Sequence, residues 1–292
     1  MDDRGPSAHL DRELFRESVR NTAASTGFLA RLVEKDYFCT VLLAHLSRNA
    51  PELVFKGGTC LAKVHVGFYR MSEDLDFVIS TPSGSKPAMR KALVKNAKRA
   101  VQTIEAELSG LRALGELAGA NNSTQYAVEV QYDSALGKHS ESIHVEVALR
   151  EELLLPAARL PARTMLLDPF TREPAVDPIE LTCIARVEAL AEKARAALSR
   201  RTPAIRDFYD IDHVVRRGEL DARDAGFRAL VTRKLAIPGN SAIDVSAERL
   251  AALRLQVETE LRPVLRDQDF ESFDLERAFL VVRDLAAAIA EG

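Results

Sequence analysis

Side-chain alternation with a two-residue period is confined to the first half of this chain, and helical periodicity takes over beyond it. That division constrains the fold more than any other feature, because strands and helices bury their apolar faces in different ways. Residues 125–132 and 142–149 alternate as half-buried strands, with a turn at 137–140 between them. Residues 52–55 and 75–80 are short apolar runs of strand type, the second closed by Pro82, Ser83, Gly84 and Ser85. Residues 10–22 and 26–48 carry apolar side chains at three- and four-residue steps, and residues 86–113 also read as helical. From Asp177 onward helix formers dominate, with predicted helices over 178–199, 203–217, 224–235, 246–260 and 270–290. The expected fold is α+β: a mixed sheet with flanking helices over residues 1–155, a connection over 156–176 bearing Pro156, Pro161, Pro169 and Pro174, and an all-helical domain over 177–292.

Composition removes several classes of function. With 47% apolar and 28% charged residues among 292, the chain is neither disordered nor fibrous. Forty Lys and Arg against 43 Asp and Glu exclude a globally basic nucleic-acid binder but leave room for a local basic surface. No run reaches the roughly 18 apolar residues that span a bilayer. The acidic opening lacks an apolar signal region, so a cytoplasmic location is expected. Cys39, Cys60 and Cys183 stand far apart with no C-x-x-C, which predicts reduced, buried thiols and no zinc site.

The segment from 55 to 78 carries the chemistry. Lys56-Gly57-Gly58-Thr59 follows a predicted strand and precedes a predicted helix at 60–66. Paired glycines let a backbone approach an anion closely, and a following helix start offers free N–H groups. Asp74-Leu75-Asp76 opens the next strand, so its two carboxylates share one face while Leu75 and Phe77 point to the core. A lone D-x-D is common as a solvated strand edge, and a lone Gly-Gly as a tight turn; the two in sequence are much rarer. Two carboxylates on one rigid face repel unless a cation joins them, and hard oxygen ligands select Mg²⁺ or Mn²⁺. Glu146 shares a strand face with His144, opposite Ile143, Val145 and Val147, and is the candidate third ligand.

Lys56-Gly57-Gly58-Thr59, followed by Arg70-x-Ser72-x-Asp74-Leu75-Asp76-Phe77, resembles the AbiEii/AbiGii family of nucleotidyltransferase toxins, within the DNA polymerase β-like nucleotidyltransferases. In the second half Glu192-Lys193-x-x-Ala196-x-x-x-Arg200 and Arg206-Asp207-Phe208-Tyr209-Asp210-Ile211 are similar to two further motifs of that family. Ala197 stands where the helix motif has Leu, and the loop from Arg200 to Arg206 is longer than expected. The resemblance implies a nucleotidyltransferase fold whose helical domain completes the active site. It implies Asp74, Asp76 and Glu146 as metal ligands, and Asp74, Asp76, Lys193 and Asp210 as catalytic residues. Lys56, Gly57, Gly58, Thr59, Arg70, Ser72, Arg206 and Asp207 are implied at the nucleotide. Either Asp207 or Asp210 can fill the last catalytic position, with Asp210 preferred; Arg206 would pair with it or with phosphate. The cofactor implied is Mg²⁺ or Mn²⁺, and the substrate an NTP. The implied partners are tRNA, whose 3′ end would receive the NMP so that translation stops, and a cognate antitoxin, with no membrane. A non-catalytic NTP- or partner-binding module and a small-molecule nucleotidyltransferase are the alternatives.

Two stretches are locally basic. Residues 86–112 hold seven Lys and Arg against two acids, and residues 193–234 hold eleven against six. Lys91, Lys95 and Lys98 recur at helical spacing, so one helix face is cationic; such a face is usually just solvated, and one that flanks a transfer site suits an RNA backbone.

Overall fold

The computed structural model describes residues 6–82 and 84–291; the acidic opening at 1–5 and Ser83 of the predicted turn lie outside the described residues. The chain divides into two compact units, residues 1–184 and 185–292.

The first unit opens with two helices, α1 (Arg12–Thr26) and α2 (Ala30–Asn49). Asp11 caps α1 by accepting from the Leu14 N–H, and Gly27 ends it in the left-handed conformation at φ 79°. Fourteen of the twenty residues of α2 are buried, so it is a core helix covered on nearly every side. Then come β1 (Val54–Lys56), a single helical turn α3 (Gly57–Cys60) that runs into a π turn over Leu61–His65, and β2 (Leu75–Val78). After α4 (Pro87–Leu93) and α5 (Lys95–Glu107) come β3 (Leu111–Ala113), β4 (Ala118–Ala120), β5 (Gln125–Asp133), β6 (Ser140–Ala148), β7 (Ala158–Ala162) and β8 (Ile179–Cys183).

These strands form one mixed sheet in the order β3-β5-β6-β2-β1-β8-β7, with β4 also on β5. β2 is central, antiparallel to β1 and parallel to β6. One sheet face is apolar: Leu75, Phe77, Val145, Val147, Tyr126 and Val130 are all at most 2% exposed. α2 packs on this face, its Phe38 ring stacked 4.1 Å from Tyr132. α5 buries Ala97, Ala100, Val101 and Ile104 on the same side, against α2 and β3.

The four expected strands all form, and the differences lie in the segments between and after them. β7 falls inside the expected connection. β8 occupies the start of the helix expected from 178, because Ile179, Leu181 and Cys183 alternate and Phe55 of β1 supplies a parallel partner opposite Cys183. Pro161 is tolerated because β7 is an edge strand. The helix expected over 86–113 breaks at Val94 and ends at Glu107, where β5 pairs residues 111–113 as β3. Part of the loop expected over 115–124 pairs with β5 as β4. The three cysteines are free and buried, as expected, and burial pushes the Cys39 thiol up to about 12.

Buried ions tie loops to α2. Asp36 pairs with Lys63 of the π turn at 2.6 Å and accepts from the Met165 N–H at 2.8 Å. Glu34 accepts from Ser134 Oγ at 2.7 Å and the Ala135 N–H at 2.6 Å. Burial raises the Glu34 pKa despite these hydrogen bonds. A raised folded-state pKa means the native state holds the proton more tightly than the unfolded chain. This contribution to stability is full below the unfolded carboxyl range near about 4.3 and declines as pH rises through the folded value. Glu34→Gln is expected to abolish that decline. Urea unfolding of both proteins from pH 4 to 8 checks it, and parallel pH profiles would refute it.

The second unit contains α6 (Arg186–Ser199), α7 (Ile205–Arg216), α8 (Ala225–Leu235), α9 (Ala247–Gln256), α10 (Asp267–Glu271) and α11 (Leu275–Ala290). α6 packs on α7 and α8, and α7 on α11. Asp212 of α7, fully buried, takes a two-pronged contact from Arg277 of α11 at 2.9 and 3.0 Å. Among the described residues no helix is long and apolar enough to cross a membrane.

Candidate active site

Three neighbouring strands bring the charged residues of the first unit onto the face opposite the apolar one. In register, Lys56 of β1 lies opposite Asp76 of β2, and Asp76 lies beside Glu146 of β6. Directly paired residues point to the same side, with Cβ atoms about 4.5–5.5 Å apart. Asp74, exposed, immediately precedes β2 and shares the face of Asp76. His144 lies two residues before Glu146 and bonds Glu129 at 2.6 Å. Burial lowers its pKa, but the Glu129 hydrogen bond and the charges of Glu129, Asp74 and Glu146 outweigh that and raise it. The face therefore gathers carboxylates around Lys56, and their charge favours the protonated form of His144.

The glycine turn is packed against these carboxylates. Gly57 has φ 77°, and a Cβ built on it would lie 2.1 Å from Asp76 Oδ2. Only glycine fits there, on conformation and on space. A Cβ on Gly58 would lie 2.8 Å from both Arg70 Nη2 and Ser72 Oγ, so the guanidinium and hydroxyl back the turn closely. Arg70 is 1% exposed and donates from Nη1 to the Met71 carbonyl at 2.9 Å. Thr59 is also buried, and its Oγ1 donates to the Asp74 carbonyl at 2.5 Å. That bond joins the turn to the start of the carboxylate strand, so the Thr59 hydroxyl acts here on the backbone and does not cap α3. Glu73 is gripped from α2 by Arg31 at 2.7 Å and Lys35 at 3.1 Å, which fixes the backbone between Ser72 and Asp74.

A divalent cation fits this donor set. The ligands on offer are carboxylate oxygens on adjacent strands, and Asp76 is held by the cradle that a Cβ at Gly57 would fill. Among the described residues no three His, Cys, Asp and Glu side chains already converge at metal distance. Mg²⁺ does not need them to, since it is bound through one or two carboxylates and completes its shell with substrate phosphates and water.

The second unit holds its own charged cluster. Lys193 of α6 meets Asp207 at 2.8 Å and Asp210 at 3.0 Å, both on one face of α7. Asp207 and Asp210 are 3% and 0% exposed, so they are not a solvated helix face. Arg200 adds a contact to Asp207 at 3.4 Å. Phe208 and Ile211 point into the core, as the helical spacing predicts. Arg206, at the start of α7, lies toward the 257–261 turn, where its Nη2 pairs with Glu260 at 3.7 Å.

The basic stretch over 86–112 folds as α4, which packs on the 121–123 turn, and α5, which lies on the apolar side of the sheet with Lys98 5.3 Å over the Tyr126 ring. Sequence reasoning missed Gln125, whose Nε2 donates to Glu146 Oε2 at 2.7 Å. Alternation places Gln125 on a strand face, but only the β5–β6 register reveals its neighbour.

The family model of the nucleotidyl transferase AbiEii toxin, type IV TA system, matches residues 41–280. A solved structure described as a "putative nucleotidyltransferase from H. pylori" shares 15% identity, with 89% of this chain and 91% of that one covered and a TM-score of 0.47. JHP933 from Helicobacter pylori shares 15% identity over 89% of this chain and 88% of its own, with a TM-score of 0.46. No curated protein matches. With most of the sequence matched, from α2 to α11, the chain belongs to the AbiEii family of nucleotidyl transferase toxins of type IV toxin–antitoxin systems.

Proposed function

We propose that this protein transfers a nucleoside monophosphate from an NTP to the 3′ end of tRNA in the cytoplasm, in a Mg²⁺-dependent reaction that blocks translation, and that a cognate antitoxin opposes it. The observation that carries the reading is Asp76, in register between Lys56 and Glu146 and packed on Gly57 of the turn.

Asp74 and Asp76, with Glu146, would hold the cation. When bound, it would supply Lewis-acid stabilisation of negative charge on the triphosphate, which favours attack at the α-phosphorus. The Gly57-Gly58 backbone, with Lys56 beside it and Arg70 and Ser72 behind it, holds the outgoing phosphates. Thr59 keeps that turn at a fixed distance from Asp74. The acceptor hydroxyl oxygen bonds to the α-phosphorus as its proton passes to a carboxylate of the site or to water, the bond from the α-phosphorus to the bridging oxygen of the β-phosphate breaks, and pyrophosphate leaves. To Lys193 we assign the neutralisation of charge growing on the departing phosphates. Asp210 and Asp207 hold its ammonium in one orientation, and Asp210 keeps the last catalytic position. Arg206, paired with Glu260, is assigned a weaker contact at the nucleotide.

An RNA acceptor is supported by exposed Lys91, Lys95 and Arg99 on α4 and α5, which suit a long polyanion that reaches beyond the reacting end. The test incubates the protein with Mg²⁺, each labelled NTP and total tRNA. Label is expected on tRNA, with transfer falling steeply as salt rises. A folded protein that labels no RNA would sink the proposal, and label on a small molecule alone would replace the acceptor.

A further inference from the structure

Glu146 is oriented by a chain of contacts that begins in strained backbone. Gln125 opens β5 opposite Ala148, so its side chain lies diagonal to Glu146 on the carboxylate face. Its Nε2 donates to Glu146 Oε2 at 2.7 Å, while Asn121 Nδ2 donates to Gln125 Oε1 at 2.9 Å. The second bond decides which end of the amide faces the carboxylate, because the oxygen must turn toward Asn121.

Asn121, Asn122 and Ser123 all have left-handed backbone, at φ 50°, 55° and 63°. Left-handed backbone is unfavourable for a non-glycine residue, least so for Asn, and a run of three persists only where its surroundings dictate it. Here they do. Arg90, 9% exposed, donates Nε and Nη2 to the Asn122 carbonyl at 3.3 and 2.8 Å. The Asn121 carbonyl accepts from Thr124 Oγ1 at 2.8 Å, and the Thr124 carbonyl from the Leu149 N–H at 2.8 Å. A braced, strained turn thus delivers one amide to one acidic side chain.

We infer that Gln125 is a positioning residue for Glu146, held in that role by Asn121 and the Arg90-braced turn, and that it sets the affinity of this face for a divalent cation. The inference rests on the metal-dependent reading above and extends it to residues that touch no substrate. Gln125 brings no charge of its own, so its effect is orientation.

The test uses the full chain and Mn²⁺ alone, titrated by calorimetry or by loss of the free-ion paramagnetic signal. Gln125→Leu is expected to weaken Mn²⁺ binding by about 10–100-fold. The Mg²⁺ concentration for half-maximal transfer should rise in parallel, while kcat and the NTP KM at saturating Mg²⁺ stay near wild type. Asn121→Gly, which accepts φ 50° without strain but lacks the amide, should shift binding in the same direction. The inference is overturned when Gln125→Leu binds Mn²⁺ as wild type does while Glu146→Gln binds it more weakly. If wild type and Asp76→Asn bind Mn²⁺ equally, the metal reading falls and this inference with it.

Discussion

Asp76→Asn is expected to lower NMP transfer by about 10²–10³-fold while leaving the protein folded. The substitution keeps size and shape and removes one negative charge from the centre of the site. Losing that charge relieves repulsion from Asp74 and Glu146 and also removes attraction to Lys56 opposite, so the two effects offset in the folded state. Thermal unfolding should therefore stay near wild type as activity collapses. Gly57→Ala is the companion experiment from the other side of the same contact. Its Cβ would need the space held by Asp76 Oδ2, 2.1 Å away, at a backbone angle that alanine adopts with strain. It should displace the carboxylate without removing it, lose activity to a similar extent and also lose stability. Labelled-nucleotide transfer beside a melting curve reads both. An Asp76→Asn protein that transfers label at the wild-type rate would remove Asp76 from the chemistry.

Lys234→Met is expected to destabilise the second unit by about 3–5 kcal/mol. Lys234 is fully buried and lies 2.7 Å from Glu188 and 3.0 Å from Glu192, both on α6. Glu188 is itself 0% exposed, so removing the ammonium leaves two carboxylates one helical turn apart with little water to screen them. The loss bears on the role proposed for Lys193, which stands next to Glu192 on the same helix. Urea unfolding of the full chain measures the loss. Replacing Glu188 and Glu192 by leucine in the Lys234→Met background should restore much of it, since an apolar set of similar volume serves a core about as well as buried ions do. A loss under about 1 kcal/mol would show that the cluster is more hydrated than its burial implies.

The sequence made some parts of this molecule readable and hid others for a physical reason. Alternation is a local property, so the common face of Asp74 and Asp76, and that of His144 and Glu146, could be assigned from spacing alone. The same holds for Asp207 and Asp210, three residues apart on a helix, and for the glycine turn between strand and helix. Pairing is not local. Nothing in residues 125 and 146 announces that they touch, nor do residues 206 and 260. β7 and β8 are hidden because five residues of mixed propensity become strands only when an edge is offered to them, here by β1 to β8 and by β8 to β7. Thr59 was legible as a residue at the turn, but its hydroxyl is directed at Asp74 by a fold that closes fifteen residues apart.

β2 lies in the interior of the sheet, with β1 and β6 on its two sides and short strands toward both rims. Amide groups in such a position exchange with solvent only when the surrounding layers come apart together, whereas rim strands fray at little cost. Asp76, set in that interior strand, therefore keeps its place while the rims fray and loses it only when the sheet itself opens.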